Sequence, residues 1–245
     1  MENVKQYPKG RNESPPDARD WNLQNFADVG IVAEVPVTSR HHLFPGVSLD
    51  QGNFPHCVGF DAADFLINEP TNTPCTDEDG HRFYYMCKEF DGEPGQENGS
   101  NLRSAAKTLQ TIGAINNYAF ATDFETIKYW LLYKGPLMFG TIWLSGMNTP
   151  DETNTVYATG IPEGGHAWEG NGIDEEYVYG QNSWGPDWGD NGAFRIPIAD
   201  FIKIMSMGGE ALAAVEIENR VLPRKLTLLE IIINFIISLF KGELK

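Results

Sequence analysis

The chain has 245 residues, of which 41% are apolar and 21% charged, so it can bury a sizeable core as one domain or as two lobes sharing a cleft, and it does not have the composition of a disordered protein. Its formal net charge of -16, from 34 acidic against 18 basic side chains, repels phosphate backbones and argues against nucleic acid as a partner. Three cysteines, Cys57, Cys75 and Cys87, are too few for a disulfide framework, and the odd number leaves at least one free thiol. Residues 1–20 are polar, contain Pro8, Pro15 and Pro16, and read as an arm, with packing expected to begin near Trp21. The first sixteen residues carry Glu2, Lys5, Lys9, Arg11 and Glu13 and no apolar core, so they do not read as a secretory leader and an intracellular location is expected.

Residues 31–37 are apolar and β-branched and predict a strand, while residues 41–50, with Pro45 and Gly46, predict a loop ending at Gln51-Gly52. From Cys57 the spacing of Val58, Phe60, Ala62, Ala63, Phe65, Leu66 and Ile67 predicts a largely buried helix that stops at Asn68 and Pro70 and has Cys57 at its N-terminal end. Further helices are predicted over 100–112, closed by Gly113, and over 123–133. After Pro136 the pattern changes to short strands at 137–144, 167–173, 177–181, 193–196 and 211–217, separated by Gly and Pro turns. A helical half followed by a sheet half predicts an α+β fold of two lobes within 21–222, helical over about 57–133 and stranded over about 21–50 and 136–218. The last segment, 223–245, contains an almost wholly apolar stretch from 226 to 240, too short as a helix for a bilayer core of about 30 Å. Its apolar face is expected to be covered by the rest of the chain, a second copy, a partner protein or a membrane surface.

A thiol becomes a nucleophile when its thiolate is stabilised, and the first turn of a helix does so through its unpaired amides and dipole. Cys57 has that position, although a lone cysteine at a helix start is more often a packing group. Of the five histidines, only His166 lies in a segment suited to close approach, Gly164-Gly165-His166-Ala167, at the entry to a strand. A thiol peptidase needs an imidazole to take and return the proton and a third group to hold the ring. Asn182 can be that group, because Trp184 and Trp188 beside it can exclude water from an amide–imidazole hydrogen bond. Gln51 can donate to a developing oxyanion together with the backbone N–H of the nucleophile. His56 adjoins Cys57 but is expected to project away from it, and His41 and His42 read as exposed loop residues without metal-ligand companions.

Taken together, Asp50-Gln51-Gly52, Cys57, Gly165-His166-Ala167, Asn182-Ser183-Trp184-Gly185 and Trp188-Gly189-Asp190-Asn191-Gly192 resemble the papain-like cysteine peptidases. The six residues from glutamine to cysteine, the sixteen from histidine to asparagine, and tryptophans two and six positions after the asparagine are all as that family has them. The resemblance covers roughly residues 17–218. It implies a helical lobe led by the Cys57 helix facing an antiparallel β-barrel-like lobe, with a peptide or protein substrate in the cleft and no metal or cofactor. It further implies that Cys57 attacks the scissile carbonyl with His166 as base and acid, that Trp188 flanks the leaving group, and that Gly99 lies in the segment pairing with substrate backbone. Trp184 and Gly165 are implied in support.

The sequence also departs from that pattern. Phe54 and Val58 stand where the family has a disulfide-bonded cysteine and an aromatic residue, which fits a reducing compartment. Cys75 and Cys87 are expected as two buried thiols. The 109 residues from Cys57 to His166 are fewer than the family's usual spacing of about 130 or more, so loops around the cleft are shortened. With fifty residues before Gln51, no long inhibitory segment is expected there. Two other readings share the same residues: an amidase or transpeptidase, and a catalytically silent peptide-binding protein.

Overall fold

The computed structural model describes residues 7–25, 37–42, 44–121 and 123–215. The predicted strand at 31–37, apart from Val37, and the apolar segment at 226–240 lie outside these residues. Two short strands, β1 (Trp21–Asn22) and β2 (Arg40–His41), precede three helices, α1 (Cys57–Ile67), α2 (Asp77–Asp91) and α3 (Leu102–Thr111). There follow β3 (Asn117–Ala121), α4 (Phe124–Tyr133), β4 (Leu137–Leu144), β5 (Pro162–Ile173), β6 (Tyr177–Gln181), β7 (Ala193–Pro197), α5 (Ile198–Met205) and β8 (Glu210–Val215).

Helix α1, predicted as largely buried, is buried at every position, Asp61 and Asp64 included. It crosses α2 at Gly59, where a Cβ would lie 2.4 Å from the Gly80 carbonyl oxygen and the Tyr84 nitrogen, so only a glycine permits this approach. Helix α2 is absent from the sequence reading because its charged residues dilute its apolar stripe. Its ends nonetheless carry standard signals: a capping box between Thr76 and Asp79, acidic residues in the first turn, Lys88 in the last, and Gly92 in a left-handed C-cap.

The strands form one mixed sheet in the order β1-β3-β8-β4-β5-β6-β7, with β2 also pairing with β5. The expected α+β class holds, and among the described residues the sheet does not close and β1 runs parallel to β3, so the expected antiparallel barrel-like lobe is a mixed, unclosed sheet. Alternation along the strands separates two cores. Met138, Ala167, Leu212 and Ala214 face α1, α2 and α3, whereas Phe139, Trp168, Ala211 and Ala213 face the opposite side with α4 and α5. Helix α4 therefore packs with Ile127, Trp130 and Leu131 against the far face of the sheet, outside the group of helices that carries Cys57.

Where α1 meets β5, Asp61, Asp64 and Glu169 are buried, and five of their six carboxyl oxygens have no hydrogen-bond partner among the described residues. The sixth accepts from Asn68 Nδ2 at 2.7 Å. Burial, reinforced by neighbouring carboxylates, raises all three pKa values well above the ordinary carboxylate range. A carboxyl whose folded pKa is raised adds stability that is fully present below about pH 4 and is lost as pH rises through the folded value. Denaturant unfolding is therefore expected to give lower stability at pH 8 than at pH 5. Asp64→Asn is expected to flatten that dependence by up to about 1.4 kcal/mol per pH unit, and an unchanged slope would show that Asp64 does not titrate in this window.

Candidate active site

Helix α1 starts at Cys57, and β5 carries His166 past that start, with the thiol contacting the backbone of Ala167. Asn182 follows the last residue of β6, the strand beside β5. His166 Nε2 lies 2.9 Å from Asn182 Oδ1, an oxygen that also accepts the Ser183 backbone N–H at 2.8 Å. The amide oxygen accepts both bonds, so Nε2 bears the ring proton and Nδ1 is left as the basic nitrogen. Nδ1 is buried and has no hydrogen-bond partner among the described residues. Trp184 covers the pair, its ring centroid 4.7 Å from that of His166, with Trp143 edge-on from another side at 4.9 Å.

Gln51 is buried beside these groups. Its backbone N–H donates to the Ser183 carbonyl at 2.9 Å and its Oε1 accepts from Ser183 Oγ at 2.9 Å, which turns the side-chain NH₂ into the cleft. There Nε2 donates to the carbonyl oxygens of Phe54 at 2.7 Å and Pro8 at 3.1 Å. The structure thus brings Cys57, His166, Asn182 and Gln51 to one place.

Pro8 belongs to the polar arm, which is not free but lies through the cleft. Tyr7 stacks on Trp184 at 4.3 Å between centroids, with the rings 2° from parallel. Lys9 Nζ sits 4.7 Å above the same indole and 3.6 Å from the Glu163 carboxylate. The Gly10 carbonyl accepts from Ser100 N at 2.8 Å, Arg11 N donates to the Gly165 carbonyl at 2.9 Å, and Asn12 N donates to the Ser100 carbonyl at 2.6 Å. Gly99, expected to pair with peptide backbone, faces Gly10 so closely that a Cβ would lie 2.3 Å from its carbonyl oxygen, and it is Ser100 that makes the hydrogen bonds. Gly165 likewise makes room, since a Cβ there would lie 2.0 Å from the Arg11 oxygen. Trp188, expected beside the leaving group, is 5% exposed behind Trp184, with its indole N–H donating to the Asn148 carbonyl at 2.8 Å. Trp184 touches the arm through Tyr7 and Lys9.

With the arm in place both reactive groups are dry. Burial pushes the Cys57 thiol up to about 11 against the opposing pull of the Ala167 and Gly10 backbone, and burial pushes His166 down to about 3. Both are therefore neutral at pH 7. The helix N-terminus favours a thiolate at Cys57, but burial outweighs it here.

His56 turns away from the thiol, stacked on Tyr84 at 3.7 Å, with Nδ1 2.7 Å from His81 Nδ1 and Nε2 2.5 Å from Glu97. His41 is exposed, but His42 is buried with Nε2 2.8 Å from the Leu131 carbonyl oxygen, which corrects the expectation of an exposed loop residue. Cys75 and Cys87 are both free thiols, Cys87 buried and Cys75 half-buried. Among the described residues no group of His, Cys, Asp or Glu is arranged to hold a metal ion, and no helix is long and apolar enough to cross a membrane. Sequence reasoning missed the arm residues Tyr7, Lys9 and Arg11 as cleft occupants. The usable signal was Gly10 between two basic residues, a small residue where chain must meet chain.

No family model matches the chain. Among curated proteins it is 29% identical over 106 residues to cathepsin Z of Onchocerca volvulus, covering 37% of this chain and 31% of that protein. It is 34% identical over 82 residues to the cathepsin B-like protein CP2 of Giardia intestinalis, covering 31% and 27% respectively. The match thus spans about a third of the length of these curated relatives. Among solved structures it resembles xylellain, a cysteine protease from Xylella fastidiosa, with TM-score 0.65 and 16% identity over 88% of this chain and 99% of that one. It also resembles procathepsin B S9 from Trypanosoma congolense, with TM-score 0.62 and 12% identity over 86% and 87%.

A Cβ on Gly10 would lie 1.9 Å from the Pro55 carbonyl oxygen, so Gly10→Ala cannot keep the arm seated. Iodoacetamide is expected to alkylate Cys57 at least about tenfold faster in Gly10→Ala than in the unsubstituted chain, as read by mass spectrometry, with Cys87 unchanged as an internal standard. Equal Cys57 rates would show that the arm does not shield the thiol.

Proposed function

We propose that this chain, which belongs to the papain-like cysteine peptidases, hydrolyses peptide bonds through an acyl-enzyme on Cys57. The observation that carries the reading is that the four groups this chemistry needs converge on a cleft already holding polypeptide, with Gln51 Nε2 donating to a peptide carbonyl there. In this reading a substrate replaces the arm. The Cys57 thiol gives its proton to His166 Nδ1 as sulfur bonds to the scissile carbonyl carbon, and the oxyanion accepts hydrogen bonds from Gln51 Nε2 and the Cys57 backbone N–H. Collapse of the tetrahedral intermediate expels the amine, which takes the proton from His166 and leaves a thioester. Water then adds to the thioester carbonyl, its proton passing to Nδ1, and the second collapse releases the carboxylic acid while sulfur recovers the proton. Asn182 keeps the imidazole in the tautomer that exposes Nδ1, and Trp184 keeps water from that hydrogen bond. The arm must leave before any peptide can enter, so activity is restrained by the chain itself.

The assay is hydrolysis of a pool of fluorogenic peptides by the full chain and by Gly10→Ala. Gly10→Ala is expected to be the more active. In that background Cys57→Ala abolishes turnover, His166→Ala lowers kcat/KM by about 10²–10⁴-fold, and Gln51→Ala lowers it by about 10²–10³-fold, mainly in kcat. Peptide binding by Gly10→Ala without turnover would instead identify a silent peptide-binding protein, and transfer of the acyl group to added amines in preference to water would identify a transpeptidase.

A further inference from the structure

The peptide plane between His56 and Cys57 carries the backbone N–H at the nucleophile. That plane is trans, so its C=O and N–H point in opposite directions. The His56 carbonyl is committed to α1, accepting from Gly59 N at 2.9 Å and Phe60 N at 3.2 Å, which leaves the Cys57 N–H pointing out of the helix start. The orientation of this one plane therefore sets where a backbone donor meets an oxyanion. No disulfide pins the loop before it, since all three cysteines are free.

The His56 side chain grips the plane instead. It is 1% exposed, makes no capping bond to α1, and lies on the Tyr84 ring of α2 at 3.7 Å between centroids. Stacking alone would let the ring turn, but both nitrogens are engaged. Nε2 reaches Glu97 Oε2 at 2.5 Å, and Nδ1 reaches His81 Nδ1 at 2.7 Å. Against desolvation, the bonds from Tyr85 and His56 hold the Glu97 carboxyl below its ordinary range, and burial holds His56 below its own. At pH 7 a carboxylate thus faces a neutral imidazole: Nε2 bears the ring proton, Nδ1 accepts, and His81 Nδ1 is the donor. Glu97 is fixed in turn. Its Oε1 accepts from the Tyr85 hydroxyl at 2.7 Å, while the Tyr84 hydroxyl donates to the Gln96 carbonyl at 2.9 Å and accepts from Gly99 N at 3.1 Å. The chain of bonds from His81 through His56 to Glu97 thus ties the residue before the thiol to α2 and to the segment that leads into Ser100.

We infer that His56, clasped by Glu97, is a positioning residue for the proposed peptide hydrolysis, holding the plane that carries the Cys57 N–H in its oxyanion-binding orientation. The inference rests on the peptidase reading for its catalytic consequence, though not for the clasp itself.

Two measurements separate the clasp from the chemistry. In the Gly10→Ala chain with fluorogenic peptides, Glu97→Ala is expected to lower kcat by about 10- to 100-fold with a much smaller change in KM, because a displaced donor acts on the transition state. Glu97→Gln, whose amide oxygen still accepts from His56, is expected to recover most of that loss, which a general loosening of the fold would not allow. Tyr85→Phe, which removes one donor from Glu97 and leaves the buried side chains intact, is expected to lower kcat in the same sense by about threefold. The second measurement needs no turnover: in nitrogen-15 spectra of the otherwise unsubstituted chain, the Cys57 backbone amide resonance is expected to move in Glu97→Ala and to return in Glu97→Gln. That pattern supports the clasp even if no variant cleaves any peptide, an outcome that would sink the peptidase reading alone. An unmoved Cys57 amide in Glu97→Ala, or unchanged kcat in both Glu97→Ala and Tyr85→Phe, overturns the inference.

Discussion

The seating of α1 on β5 is the constraint on which the rest depends. A helix buried on all sides has no freedom to slide, because each residue meets a fitted neighbour and Gly59 locks it against α2. Its first residue is consequently held against the backbone of Ala167, directly after His166. The strand then fixes His166, and the neighbouring strand β6 delivers Asn182 to hold the imidazole in one tautomer. The placement of Cys57 is an outcome of core packing: moving the helix by a fraction of a turn would carry the thiol off the backbone of Ala167. The same interface buries Asp61, Asp64 and Glu169, so the contact that positions Cys57 beside β5 also carries three dry carboxyls.

Legibility in the sequence divides along physical lines. The reactive residues were readable because each sits among neighbours that announce its setting: the apolar run after Cys57, the glycines before His166, the indoles after Asn182. Strands β4 and β6 were readable to the residue because alternation and turn residues bound them. Helix α2 was not, since its apolar stripe is interrupted by charge and its strongest signals lie in the caps. Nor was the openness of the sheet, a property of which edges fail to meet, on which no single strand carries information.

The arm was the least legible part for a related reason. Its hold on the cleft comes from backbone hydrogen bonds at Gly10, Arg11 and Asn12 and from side chains reaching partners more than a hundred residues away, none of which leaves a periodic trace. A polar, proline-containing segment looks the same in sequence whether it is solvated or threaded between two lobes. What distinguishes it is the complementary side: Gly99, Gly140 and Gly165 lack side chains where the arm passes, and those absences acquire meaning only once the occupant is seen.

How a polypeptide can lie in such a cleft without meeting the conditions of the proposed attack follows from which of its groups meet which of the protein's. Gln51 Nε2 reaches the Pro8 carbonyl, but the arm's contact with sulfur is through the Gly10 backbone, in the sense that favours thiolate and so marks an N–H donor. A donor facing sulfur presents no electrophilic carbon to it. The carbonyl at the amide donor and the group at the thiol belong to residues two apart, whereas acyl transfer requires one carbonyl to meet both. The arm thereby satisfies the cleft's polar groups while dissociating the two contacts that attack needs, and it excludes the water that would let thiol and imidazole exchange a proton for an ion pair. Occupancy and inertness then have a single cause, the register of the six residues from Tyr7 on Trp184 to Asn12 on Ser100.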